Sequence, residues 1–210
     1  MRVKEFVHQR TASIEKLPVE SRPGTYALIL KCQRTADVSV GRLGHLKLEP
    51  GFYVYVGSAF GPGGIRGRLA HHTRPVMRPH WHIDYIRSEM ELVEVWFQYG
   101  RKSRECNWAR RLATMSGASV PMAGFGASDC DCESHLLFYK ECPNALFLSS
   151  PHAAADSQLY KGTNSSATNV SNVVGVVFRG VRCSNGNMYP EFNAALISKR
   201  RLVTFSEVPI

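Results

Sequence analysis

Apolar residues along the chain come in short runs broken by glycine, proline and polar clusters, and the run lengths suit strands and short helices. TYALILKC (25–32) is β-rich and almost continuously apolar, the pattern of a buried strand. Two further strands are predicted over 44–48 and 52–57, with Glu49-Pro50-Gly51 as the turn between them. Ile65 and Leu69 stand four apart after a glycine-rich turn, which predicts a short amphipathic helix from about 64 to 72. HIDYIRSE reads as a second short helix, and ELVEVWFQY (91–99) as a strand with alternating acids. RECNWARRLATM (104–115) predicts a helix with Trp108, Leu112 and Met115 along one stripe. No internal repeat or heptad pattern is present.

These elements predict a small α+β (α/β) domain whose mixed or antiparallel central sheet is flanked by helices. The domain is expected over 22–142, after a lead-in of residues 1–21. Residues 143–210 differ in character, with only three acids and six bases and with Ser/Asn/Ala-rich stretches such as GTNSSATNVSN. They read as an appendage of uncertain order in which VVGVVFRGVRC suits one strand.

Composition narrows the class. The 210 residues are 44% hydrophobic and 20% charged, too apolar for a disordered chain. No apolar run approaches the ~18 residues that span a bilayer, and MRVKEFVHQR lacks a signal-peptide core. A cytoplasmic protein with no membrane partner is expected, its six cysteines reduced. The balance of 26 Lys+Arg against 17 Asp+Glu, formally +9, favours a polyanionic partner and so nucleic acid. The positive charge is concentrated: residues 66–83 hold four arginines and four of the eight histidines, with no carboxylate before Asp84.

That window adjoins the chemistry a phosphodiester demands. Arginine offers a permanently charged fork for phosphate, a carboxylate holds a hard divalent cation, and tyrosine or histidine moves a proton. All of these types occur between Tyr26 and Glu105.

Gly24-Thr25-Tyr26 and Tyr55-Val56-Gly57 resemble the two halves of the GIY-YIG nuclease signature. The string VGRLG…GFYVYVGSAFGPGGIRGRLAHH…HWHIDYI…EC, within residues 22–139, is more specifically similar to the Uri-type branch of that superfamily. The resemblance implies a divalent-metal-dependent endonuclease that hydrolyses DNA by a one-metal mechanism. It implies catalytic roles for Tyr26 in proton transfer or water positioning and for Tyr55 beside it. Arg68 would contact the scissile phosphate with His72 one turn further on, and Glu105 would bind Mg²⁺ or Mn²⁺. Two departures stand out: Thr25 replaces the motif isoleucine, and the long interval from Tyr26 to Tyr55 implies an extra strand or loop across 33–50.

Other residues carry weaker signals. Arg66, Arg74 and Arg78 are expected to bind nucleic-acid phosphates without sequence preference. His82 is a further active-site candidate, and His80-x-His82-x-Asp84 has the spacing of a strand-borne metal site. Cys130, Cys132, His135 and Cys142 form C-x-C-x2-H-x6-C, but structural zinc favours C-x2-C, so zinc is not expected there. Two rival functions remain open at this level. One is a nucleic-acid-binding module that uses the same basic face without cutting, although such a module would not need Tyr26 and Glu105. The other is a zinc-binding interaction protein built around residues 130–142.

Overall fold

The computed structural model describes residues 19–100, 104–143, 174–177, 196–198 and 201–203. Its centre is β1 (Gly24–Cys32), flanked by β4 (Gly51–Ser58) and β5 (Glu91–Tyr99). With β6 (Leu136–Tyr139) and β7 (Val174–Val177) they form a five-stranded sheet of order β6-β4-β1-β5-β7, antiparallel throughout. The interval 33–50 does hold extra strands: β2 (Ala36–Ser39) and β3 (His45–Leu48) pair as a separate antiparallel ribbon. β8 (Leu196–Ser198) and β9 (Arg201–Val203) form another two-stranded pair.

Successive strand residues face opposite sides, so one sheet serves two cores. On one face Tyr26, Leu28 and Leu30 pack with Tyr53, Tyr55, Val95 and Phe97. That face is covered by α1 (Gly64–His72) through Ile65 and Leu69, and by α2 (His82–Ile86) through Ile83 and Ile86. On the other face Ala27, Ile29, Val54, Val56 and Trp96 receive α3 (Arg104–Ala113) through Trp108, Ala109 and Leu112. The architecture is therefore α+β, an antiparallel sheet with helices on both sides. Nine consecutive residues, almost all apolar, make sense for a central strand buried on both faces, which explains why β1 shows no alternation.

Two details depart from the sequence reading. α3 ends at Ala113, two residues early, and Met115 lies just beyond it against the same core. β2 and β6, each four residues long, carry too little pattern to be seen as strands without their partners. Val174–Val177, within the VVGVVF run of the appendage, pairs with Glu94–Phe97 at the edge of the main sheet. Thr25 in the motif isoleucine position is fully buried, and its hydroxyl has no hydrogen-bond partner among the described residues. The lead-in before residue 19 and most of the appendage lie outside the described residues.

Candidate active site

Register places the two motif tyrosines together. Tyr26 on β1 lies opposite Gly57 of β4, and Tyr55 lies opposite Leu28, so the tyrosines are diagonal neighbours on one face. Gly57 is required by this arrangement: a Cβ there would sit 2.5 Å from the Tyr26 hydroxyl oxygen. The glycine-rich turn after β4 has an equally specific task. Gly63 and Gly64 adopt positive φ of 81° and 52°, and a Cβ on Gly64 would collide with the Arg22 carbonyl. That carbonyl accepts from the Ile65 amide at 2.9 Å. The chain entering β1 thus seats the first turn of α1, and α1 in turn aims Arg68 at the tyrosines.

Tyr26, Tyr55, Arg68, His82 and Glu105 line one open cavity of about 250 Å³. α3 covers the sheet face opposite Tyr26, yet its first turn delivers Glu105 to this cavity. Ser58, Trp81, Ser128 and Asp129 also contribute to its walls. The Arg68 guanidinium stacks 4.2 Å above the Trp81 ring, which holds it extended without neutralising its charge. His82 accepts the Gly126 amide at Nδ1 (2.9 Å), an arrangement that assigns its proton to Nε2. Burial holds its pKa below the ordinary value.

His72 is placed differently. It does not line the cavity but lies behind Tyr26, buried, with Nε2 2.8 Å from the Tyr26 hydroxyl. Burial, then the nearby Arg87 and His71, depress its pKa to about 3, so the ring is neutral at any physiological pH. Burial, with Tyr55 beside it, raises Tyr26 well above the ordinary phenol value, against the opposing pull of Arg68. Tyr55 is raised by burial and by Glu105. The pair is therefore a neutral phenol bonded to a neutral imidazole.

Asp84 is held by four donors. Its carboxylate, fully buried, accepts from the His80 and Trp81 amides, from Arg87 Nε at 2.9 Å and from His71 Nε2 at 3.1 Å. Burial alone would raise its pKa, but these four donors bring it down to about 2. The H-x-H-x-D spacing is thus an anchor for α2, because a guanidinium on the carboxylate excludes a cation. Arg87 extends the anchor, donating to the His72 carbonyl at 2.8 Å, the Arg74 carbonyl at 2.7 Å and the His71 carbonyl. It thereby ties together the carbonyls of the last turn of α1 and of Arg74 just beyond it.

Arg66, Arg74 and Arg78 are exposed and outside the cavity wall. Cys142 is separate from the other members of the predicted Cys/His set, buried in the core beneath α3. In its place Cys106, next to Glu105 on α3, joins Cys130, Cys132 and His135. Sequence reading missed Cys106, Trp81, Arg87 and Asp129. Only Arg87 had a local signal, its i,i+3 spacing from Asp84 on a predicted helix.

Residues 25–154 match the family model described as a domain of unknown function, DUF123, and the chain belongs to that family. No curated protein and no solved structure matches the chain.

Proposed function

We propose that this protein is a divalent-metal-dependent endonuclease of the GIY-YIG type, cutting phosphodiester bonds in DNA. The observation that carries the reading is the convergence of Tyr26, Tyr55, Arg68 and Glu105, from β1, β4, α1 and α3, on one open cavity. Structural tyrosines and a solvated arginine have no reason to share a hollow with a carboxylate from the far side of the sheet.

Glu105 suits a hard cation: its side chain is 20% exposed in a cavity that Asp129 also lines, with room for retained waters. Mg²⁺ or Mn²⁺ held there would stabilise charge on the phosphate oxygens. Arg68 grips the same phosphate through its fork, and Trp81 keeps that fork oriented. Tyr26 positions the attacking water: its hydroxyl donates to the neutral His72 Nε2, which leaves the phenol oxygen to accept a hydrogen bond from that water, whose proton is released to solvent. Water oxygen bonds to phosphorus as the scissile P–O bond breaks, and the departing oxygen takes a proton from solvent, with the His82 Nε2–H able to donate it a hydrogen bond. Arg66, Arg74 and Arg78 bind flanking phosphates.

The deciding experiment is cleavage of a panel of labelled DNA and RNA substrates with Mg²⁺ or Mn²⁺, against Glu105→Ala. Cutting by the parent and not by the variant supports the reading. Salt-dependent binding without cutting on any substrate would favour the non-catalytic nucleic-acid-binding module.

A further inference from the structure

Three cysteines and a histidine meet beside the cavity without being part of it. Cys106 comes from the first turn of α3, Cys130 and Cys132 from the loop before β6, and His135 from the residue immediately before β6. Their three sulfurs and one ring nitrogen lie within 4.8 Å of one another. The Cys130 sulfur is 3.3 Å from His135 Nε2. By contrast Cys32 and Cys142 lie in the two cores, where their thiols donate to the Arg34 carbonyl at 3.0 Å and the Pro143 carbonyl at 3.8 Å.

We propose that Cys106, Cys130, Cys132 and His135 bind one structural zinc ion. Thiolate and imidazole are zinc's preferred donors, and four of them close a tetrahedral site. With Zn–S about 2.3 Å and Zn–N about 2.0–2.1 Å, the edges of such a site are roughly 3.5–3.8 Å, so the four ligands need only a small contraction. Atoms this close leave no room for an iron–sulfur cube, whose thiolate ligands stand further apart around the cluster.

His135 supplies an independent observation. It is buried at 1% exposure, and its Nδ1 has no hydrogen-bond partner among the described residues. That nitrogen lies 3.5 Å from Glu105 Oε1. With Nε2 on zinc, the ring's proton must sit on Nδ1 and point at the carboxylate, the usual arrangement around a metal-bound histidine. The His135 backbone is held as well, its amide on the Phe125 carbonyl at 2.7 Å and its carbonyl on the Val56 amide at 2.9 Å. Zinc would therefore tie the start of α3 to the β4–β6 edge and orient Glu105 through His135. The cluster His71, His72 and Asp84 has no such standing, since Arg87 already occupies the Asp84 carboxylate.

The test is metal content of the full chain, purified under reducing conditions from zinc-supplemented growth, and it needs no substrate and no cleavage. One zinc per chain is expected, and cobalt exchange should give the thiolate-to-metal charge-transfer and tetrahedral d–d bands of a sulfur-rich site. Cys130→Ser with Cys132→Ser should lose the metal, whereas Cys142→Ser should keep it. Glu105→Gln should keep one zinc but bind it about 10–100-fold more weakly in competition with a chromogenic chelator. Failure of the parent chain to take up zinc, or a disulfide among these cysteines in the reduced preparation, would overturn the proposal. So would zinc lost with Cys142→Ser and kept without Cys130 and Cys132. Unchanged affinity in Glu105→Gln would refute the link to Glu105.

Discussion

The Tyr26 hydroxyl lies 2.8 Å from His72 Nε2, buried beneath the cavity wall. This contact couples a group that touches the cavity to one that does not. Tyr26→Phe keeps the ring and removes the bond, leaving Nε2 unpaired at a cost of about 1–3 kcal/mol. The variant should fold, with a lowered urea midpoint, and cut about 10²–10⁴-fold more slowly. Cleavage at the parent rate would remove Tyr26 from the mechanism.

His72 should also be visible in acid stability. Its pKa falls from 6.5 in the unfolded chain to about 3 in the fold, so only the unfolded state takes up this proton between those values. Its contribution is complete above pH 6.5 and declines as pH falls towards 3, by up to about 1.4 kcal/mol per pH unit. Urea midpoints measured from pH 7 to 4 should drop along this slope. His72→Phe should flatten it, and a parent curve flat over that range would contradict the buried neutral ring.

Arg87 is the next test, because it neutralises Asp84 and closes the end of α1 together. Arg87→Ala leaves a buried carboxylate short of its cation and should cost about 3–5 kcal/mol. Arg87→Lys should rescue little, since an ammonium cannot reproduce the fork that reaches Asp84 and three carbonyls. Equal thermal midpoints for the lysine variant and the parent would show that the fork is unimportant.

Gly57→Ala addresses the tyrosine placement directly. The added methyl meets the Tyr26 oxygen at 2.5 Å and ring carbon Cζ at 2.6 Å, so the ring must leave its position. Overpacking of this kind costs typically about 1–3 kcal/mol. The fold should survive while cleavage falls at least as far as in Tyr26→Phe. A crystal structure of the variant with Tyr26 still on His72 would refute this.

Metal, phosphate and docking should separate by variant. Glu105→Ala should abolish cleavage and leave DNA affinity nearly unchanged, because the metal acts mainly on transition-state charge. Arg68→Ala should lose cleavage and some affinity. Removing the exposed Arg74 or Arg78 should weaken binding alike on all sequences and reduce its salt dependence. Binding measured between about 50 and 200 mM salt checks this, and salt-independent affinity would argue against phosphate contacts.

What was legible in the sequence is what short-range pattern can express. The apolar run of β1, the i,i+4 pair on α1 and the stripe of α3 reflect local periodicity, and each element formed on its pattern, α3 stopping two residues short. The glycines at 57, 63 and 64 were readable as a turn and a motif. Their reasons were not, since the Tyr26 ring and the Arg22 carbonyl reach them only through strand pairing and helix docking.

Choices among chemically equivalent residues belonged to the tertiary structure. Cys142 stands seven residues from His135 and Cys106 twenty-nine, yet the packing of α3 across the sheet brings Cys106 to the cluster and buries Cys142 elsewhere. Asp84 shares a motif with two histidines but spends its lone pairs on Arg87, His71 and two amides, because burial makes an unpaired carboxylate too costly. His72 and His71 are neighbours in the chain, and one helical step of about 100° sends the first to Tyr26 and the second to Asp84. The sequence by itself determined which side chains could do chemistry. Which of them share a cavity, a proton or a metal was decided by long-range contacts, because those distances depend on how the sheet and helices close on one another.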